Sequence, residues 1–271
     1  MMHTAAVVTR LQPARPLVQM RSLAVTYTSR RGPVVALEGV DFDLNEGEFL
    51  SILGPSGCGK STLLKCVAGL EKPTSGEIIL DGAPLAGPPD GLGVVFQRDV
   101  LLDWRTVLDN VLLVAEFQGR DVSALRSQAR RTLARFGLEA FADRYPWELS
   151  GGMRQRASIC RALLTDPTLL LMDEPFGALD AMTRDDLNIE LARLWQETRK
   201  TVLFITHSIA EAVFLSDRIV VMSRNPGRVV EIIDVDLPRP RSLAVRETQA
   251  FSSYTTRIRQ LFTKLGVLQE G

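Results

Sequence analysis

An α/β fold is predicted, with a largely parallel core, a small antiparallel β lobe around its start and a helical lobe inserted in it. Three observations carry the expectation. Apolar runs without alternation at Phe49–Leu53, Leu169–Met172 and Val202–Ile205 read as strands buried on both faces. Leu23–Tyr27 and Val40–Leu44 alternate instead, as half-buried antiparallel strands do. Between Gln97 and the second core strand the apolar period changes to helical.

In chain order, Ile78-Ile79-Leu80 followed by Asp81-Gly82 predicts another strand ending in a turn. Val94-Val95-Phe96 leads into Gln97, and helices are expected over Val107–Phe117 and Ser123–Phe136. Arg184–Arg199 reads as a charged helix between the second and third core strands. Beyond Pro238-Arg239-Pro240-Arg241, the residues Phe251, Tyr254, Ile258, Leu261, Phe262 and Leu265 recur at helical spacing, which predicts a final helix packed on its own protein. Residues 1–17 are expected to form a loose tail without the features of a secretory signal.

Bulk composition narrows the classes. At 271 residues and 29.9 kDa the chain holds one large domain with room for an inserted lobe. Lys+Arg and Asp+Glu are both 32, so no basic excess points to nucleic acid. Arg126, Arg130, Arg131 and Arg135 recur at helical spacing and read as a solvated helix face rather than a phosphate-binding patch. The cysteine count is 3, odd and without framework spacing, as suits a reducing compartment. No run approaches the roughly 20 apolar residues of a membrane helix.

Two stretches carry the chemistry. Gly54-Pro55-Ser56-Gly57-Cys58-Gly59-Lys60-Ser61 sits between an apolar strand and the helical run Leu63, Leu64, Val67, closed by Gly69. In such a phosphate loop, backbone N–H groups approach a nucleotide triphosphate, the lysine supplies a point charge and the serine hydroxyl reaches Mg2+. Cys58, at a helix N-terminus inside this loop, is read either as a thiol with lowered pKa or as a small residue with its sulfur turned inert into the core. The second stretch, Leu149-Ser150-Gly151-Gly152-Met153-Arg154-Gln155, is a serine–glycine turn opening a helix, either a plain N-cap or a second anion site. One ATP rarely needs both cradles from one chain. Two copies meeting head to tail, each completing the other's site, is the economical arrangement.

The strand Leu169–Met172 ends in Asp173-Glu174, two carboxylates at the carboxyl edge of a parallel sheet, where open α/β folds bind ligands. Adjacent residues point apart, so Asp173 is assigned to Mg2+ and Glu174 to the water that attacks the γ-phosphate. His207 follows the next core strand; on spacing alone it is a satisfied polar residue or a group that orients that water. Leu101, Leu102 and Trp104 form either a docking groove or the core of the helical lobe.

These motifs, in this order, resemble the ATP-binding cassette (ABC) family, over roughly Val18–Arg241. The resemblance implies a P-loop NTPase core spanning residues 18–241, with the helical lobe at about 98–162 and a helical extension at 242–271. It implies that Tyr27 stacks on adenine, that Gly54, Pro55, Ser56, Gly57, Cys58, Gly59, Lys60, Ser61 and Thr62 hold ATP, and that Ser150, Gly151, Gly152 and Asp180 reach the nucleotide of a second copy. Ser61, Gln97 and Asp173 would serve Mg2+, and Glu174, His207 and Gln97 the hydrolysis. The stretches Phe96–Arg105, Phe176–Arg184 and His207–Ala212 look like ATPase subunits of nitrate, alkanesulfonate and taurine importers. That branch implies a homodimer on the cytoplasmic face of a bacterial membrane, under two permease subunits fed by a solute-binding protein. Asp103 stands where such relatives usually carry proline, and Trp147-Glu148 where they often carry histidine and glutamine, which leaves the solute open. A nucleic-acid-acting cassette protein would bring a second cassette or a coiled coil, and a metabolic P-loop kinase would lack the Leu149–Gly152 stretch.

Overall fold

The computed structural model describes residues 15–30 and 32–267, so most of the predicted tail lies outside the described residues. Ten strands and seven α-helices are present among them. The β lobe comprises β1 (Pro16–Ser29), β2 (Gly32–Asn45), β4 (Ser75–Leu80) and β5 (Ala83–Pro84), an antiparallel sheet ordered β2-β1-β4-β5. One boundary is corrected here. Pro16 and Leu17, placed in the tail by the sequence, open β1: Leu17 is buried and its carbonyl accepts from the Asp81 N–H. A proline is compatible with the first position of a strand. The predicted turn at Asp81-Gly82 joins β4 to β5, with φ of 47° and 80° at these residues.

The second sheet contains β3 (Phe49–Leu53), β6 (Leu92–Val95), β7 (Leu169–Asp173), β8 (Thr201–Thr206), β9 (Arg218–Met222) and β10 (Val229–Asp234). Its order is β10-β9-β3-β8-β7-β6, parallel except for β10. The missing alternation of its strands now has a cause. Phe49, Leu170, Met172, Val202 and Phe204 face one buried cluster, shared with the helical lobe, while Leu50, Ile52, Leu169, Leu171 and Leu203 face another under the β lobe. Both faces are covered, so both side-chain sets are apolar.

The helical lobe holds α2 (Val107–Phe117), α3 (Val122–Arg135) and α4 (Gly151–Leu163), each opened by a side-chain cap: Thr106, Asp121 and Ser150. The arginine face of α3 is a solvated one, with Arg126, Arg130 and Arg135 paired to Asp109, Asp143 and Glu197. Around the core sit α1 (Lys60–Val67), α5 (Ala181–Thr198) and α6 (Ile209–Leu215). The final helix, α7 (Gln249–Lys264), buries Phe251, Ile258 and Phe262 in the larger cluster, as its period predicts. Among the described residues no helix is long and apolar enough to cross a membrane.

Ile258 is fully buried in α7. Ile258→Ala is expected to lower stability by about 2–5 kcal/mol, read as a shift of the urea midpoint; an unchanged midpoint would detach α7 from the core.

Candidate active site

The register of the parallel sheet assembles the site. Leu53 pairs with Thr206 and Asp173 with Ile205, so β3, β8 and β7 end at one edge. The loop after β3 is the phosphate loop, the residue after β8 is His207, and β7 ends on Asp173 with Glu174 following.

The loop between β3 and α1 adopts the conformation its glycines permit. Gly59 caps α1 at φ 89°, and a Cβ there would lie 2.6 Å from Leu37 and 2.7 Å from the Ala36 carbonyl, so only glycine fits between loop and β2. The buried Lys60 curls back, donating from Nζ to the carbonyls of Gly54 at 2.9 Å and Pro55 at 3.1 Å. Ser61 donates to the Asp173 carboxylate at 3.2 Å. Burial raises the pKa of Asp173, partly offset by the Ser61 bond.

Glu174 stands between two cationic or polar partners. Its Oε1 lies 3.5 Å from Lys60 Nζ, and its Oε2 shares a hydrogen bond with His207 Nδ1 at 3.0 Å. Its φ of 43° is unusual for a residue with a side chain, and such strain concentrates at functional sites. The phosphate loop, Gln97 and Glu174 line one cleft of about 400 Å³. Tyr27 stands at the rim, its hydroxyl 3.4 Å from Thr62 Oγ1. The same cleft is lined by Val34, Val35 and Asn225, which sequence reasoning missed. Asn225-Pro226-Gly227 is legible as a turn between strands, but nothing local says that it abuts the phosphate loop.

The remaining predicted residues do not line this cleft. Ser150 accepts from Met153 N–H at 3.3 Å, opening α4, and Asp180 accepts from Thr183 N–H at 3.0 Å, opening α5. Hydrogen bonds from Thr183 lower the pKa of Asp180. Gly152 lets these helices approach closely, since a Cβ there would lie 2.5 Å from Thr183 Cγ2 and would force that side chain to shift. Ser150, Gly151 and Asp180 are exposed, available to a second chain.

Two readings left open by the sequence are decided. Cys58 is fully buried beneath the loop, its sulfur 4.0 Å from Lys60 Nζ, and burial raises its pKa rather than the helix start lowering it. The apolar trio beyond Gln97 is split: Leu101 packs on the core, Leu102 lines a groove with Phe96, Val100, Leu113 and Phe117, and Trp104 is exposed outside that lining. The altered Trp147 stacks on Tyr145 at 4.5 Å, and Glu148 accepts from Tyr145 N–H, closing the turn before Ser150.

Residues 37–177 match the family model described as ABC transporter. The chain belongs to the ABC transporter family. ATP binding goes with that membership. The taurine import ATP-binding protein of Rhizobium johnstonii is 48% identical over 224 residues, 82% of this chain and 86% of the relative. The aliphatic sulfonates import ATP-binding protein of Bacillus cereus is 40% identical over 252 residues, 93% of this chain and 98% of the relative. A bacterial ABC transporter cassette solved as a dimer superposes with a TM-score of 0.73 at 35% identity, covering 82% of this chain and all of that one.

Alkylation at neutral pH is expected to leave Cys58, Cys66 and Cys160 unmodified in the folded protein, with or without Mg-ATP, because all are buried with raised pKa values. Rapid, ATP-protected labelling of Cys58 by mass spectrometry would restore the reactive-thiol reading.

Proposed function

We propose that this protein is the ATP-hydrolysing subunit of a bacterial importer for an alkanesulfonate, taurine, nitrate or a related small solute. It would work as a homodimer beneath two membrane-spanning permease subunits supplied by a solute-binding protein, on the cytoplasmic face of the membrane. One observation carries the enzymatic part: the Glu174 carboxylate, held between Lys60 and His207 at the mouth of a phosphate loop. The solute class rests on the similarity to the two import proteins described above.

In this reading the loop N–H groups and Lys60 bind the phosphates, and Tyr27 at the rim stacks on adenine. An all-oxygen set at the edge of a phosphate loop suits Mg2+, which usually takes one or two carboxylates plus substrate oxygens. Ser61 and Asp173 would hold it with Gln97, and when bound it neutralises phosphate charge. Glu174 takes the proton of the attacking water, while His207, donating from Nδ1 to the ionised carboxylate, fixes the direction of that carboxylate. Ser150, Gly151, Gly152 and Asp180 meet the nucleotide of the other copy. ATP then favours the closed dimer by contacts made only there, and hydrolysis removes them.

Transmission runs through the segment after Gln97. Arg154 of α4 holds Asp99 at 2.9 Å, and Arg161 donates to the carbonyls of Asp99 at 2.8 Å and Val100 at 2.6 Å. Movement of α4 would therefore pull on the segment around Asp99 and Val100, which borders the groove lined by Phe96, Leu102 and Phe117, where a short helix of the permease would dock.

Glu174→Gln is expected to keep ATP binding, slow hydrolysis by roughly 10²- to 10⁴-fold and trap an ATP-dependent dimer visible by size-exclusion chromatography. Near-normal turnover would remove Glu174 from the role. Phe117 is 82% exposed. Phe117→Asp is expected to leave basal ATPase intact and abolish co-purification with the permease subunits; retained assembly would move the docking site elsewhere.

A further inference from the structure

Glu211 is a charged side chain buried on α6, one turn beyond His207. Burial raises its pKa, as expected for a carboxylate withdrawn from water. Such a group costs stability unless its oxygens are well engaged. One oxygen meets Thr206 at the end of β8 and the other faces Arg184 on α5.

The Thr206 hydroxyl donates to Glu211 Oε2 at 2.5 Å, and the same hydroxyl oxygen accepts from Ser208 N–H at 2.9 Å. The carboxylate thus holds Thr206 directly, and Ser208 only through the Thr206 hydroxyl. On its other side, Glu211 Oε1 lies 3.6 Å from Arg184 Nε. Arg184 belongs to α5, and its Nη2 donates to the Leu179 carbonyl at 2.8 Å, the residue before Asp180. A path therefore leads from the Asp180 loop through Arg184, Glu211 and Thr206 to His207.

One link in it is open. Arg184 Nε is buried and has no hydrogen-bond partner, and 3.6 Å is longer than a hydrogen bond. A displacement of α5 by less than about 1 Å closes it to the charge-assisted length of about 2.8 Å. The C-terminal segment backs the arrangement: Arg246 donates to Asp185 of α5 at 2.6 Å and lies 5.1 Å above the Phe214 ring of α6.

We propose that Glu211 is a positioning residue that ties the Asp180 loop to the His207 loop, so that contact by a second copy at Asp180 sets the imidazole against Glu174. The inference rests on the ATPase-dimer function proposed above. An apolar residue of similar volume would serve packing alone at least as well as a buried charge.

The test uses the full-length protein, with Mg-ATP turnover measured for wild type, Glu211→Gln, Thr206→Val and His207→Ala, and ATP-driven dimerisation measured in the Glu174→Gln background. Glu211→Gln is expected to lower kcat by about 10- to 100-fold, with KM and dimerisation unchanged. Added to His207→Ala, it should cost little more, because both act through the imidazole. Thr206→Val, which breaks the link while leaving Glu211 and Arg184 in place, should reproduce the loss and decides the matter if Glu211→Gln does not fold. Unchanged kcat in a folded variant, parallel loss of KM and dimerisation, or full multiplication with His207→Ala overturns the positioning role alone. A wild-type protein without ATPase activity, or a Glu174→Gln variant without an ATP-dependent dimer, overturns the proposed function and this inference with it.

Discussion

Everything in the active site depends on the parallel register of β3, β8 and β7. With Leu53 beside Thr206 and Asp173 beside Ile205, three chain segments far apart in sequence leave the sheet at one edge. That register is specified because both faces are buried: sliding a strand by one residue would exchange its entire set of core contacts. Phe49 and Phe204 against the helical side, and Leu50 and Leu203 against the β-lobe side, leave no equivalent alternative. The apolar runs and the geometry of the candidate site are consequently one constraint. Packing places the strand ends, and the strand ends place Lys60, Glu174 and His207.

The loops beyond those ends are held by short polar ties. Ser150, Asp180 and Ser208 each open a helix by accepting an N–H bond from the residue three positions on. Capping uses part of each side chain's accepting capacity and also turns the loop outward, so a cap and an interface residue are compatible roles for one group. Gly152 adds a packing condition, since it lets α4 approach Thr183 of α5. The exposed turn at Ser150 and the exposed Asp180 are thus carried by helices in direct contact. They would move together against a second copy.

Much of this was legible because local chemistry repeats in known patterns. The strand–loop–helix around Lys60, the carboxylates after an apolar strand and the helix of α7 each follow from spacing, and the structure has all of them. What was not legible depends on where a side chain points or what lies across a gap. Cys58 sits at a helix start, which by itself lowers a thiol pKa, yet its sulfur turns inward and desolvation dominates. Leu101 and Trp104 are three residues apart in an irregular segment with no period to assign faces, and they fall on opposite sides of the burial boundary. Asn225 reaches the cleft because the β9–β10 turn packs on β2, where Gly227 N–H donates to the Ala36 carbonyl at 3.1 Å. No sequence window contains both partners.

A single chain holds two kinds of anion-binding geometry that do not meet. The phosphate loop, Glu174 and Gln97 share a cleft, whereas the start of α4 presents unpaired N–H groups and a helix dipole to solvent without belonging to it. A lone chain would therefore contact a nucleotide from one side. Pairing two chains head to tail supplies the second side twice over, and makes the bound triphosphate part of the interface. Affinity for ATP and affinity between chains are then linked quantities, each raised by the other to the same degree. In the proposed dimer, hydrolysis would weaken both at once, because the group it detaches would be the one that both chains grip. In the proposed assembly, this coupling would let a cassette with no membrane-crossing helix among its described residues do mechanical work on subunits that cross one.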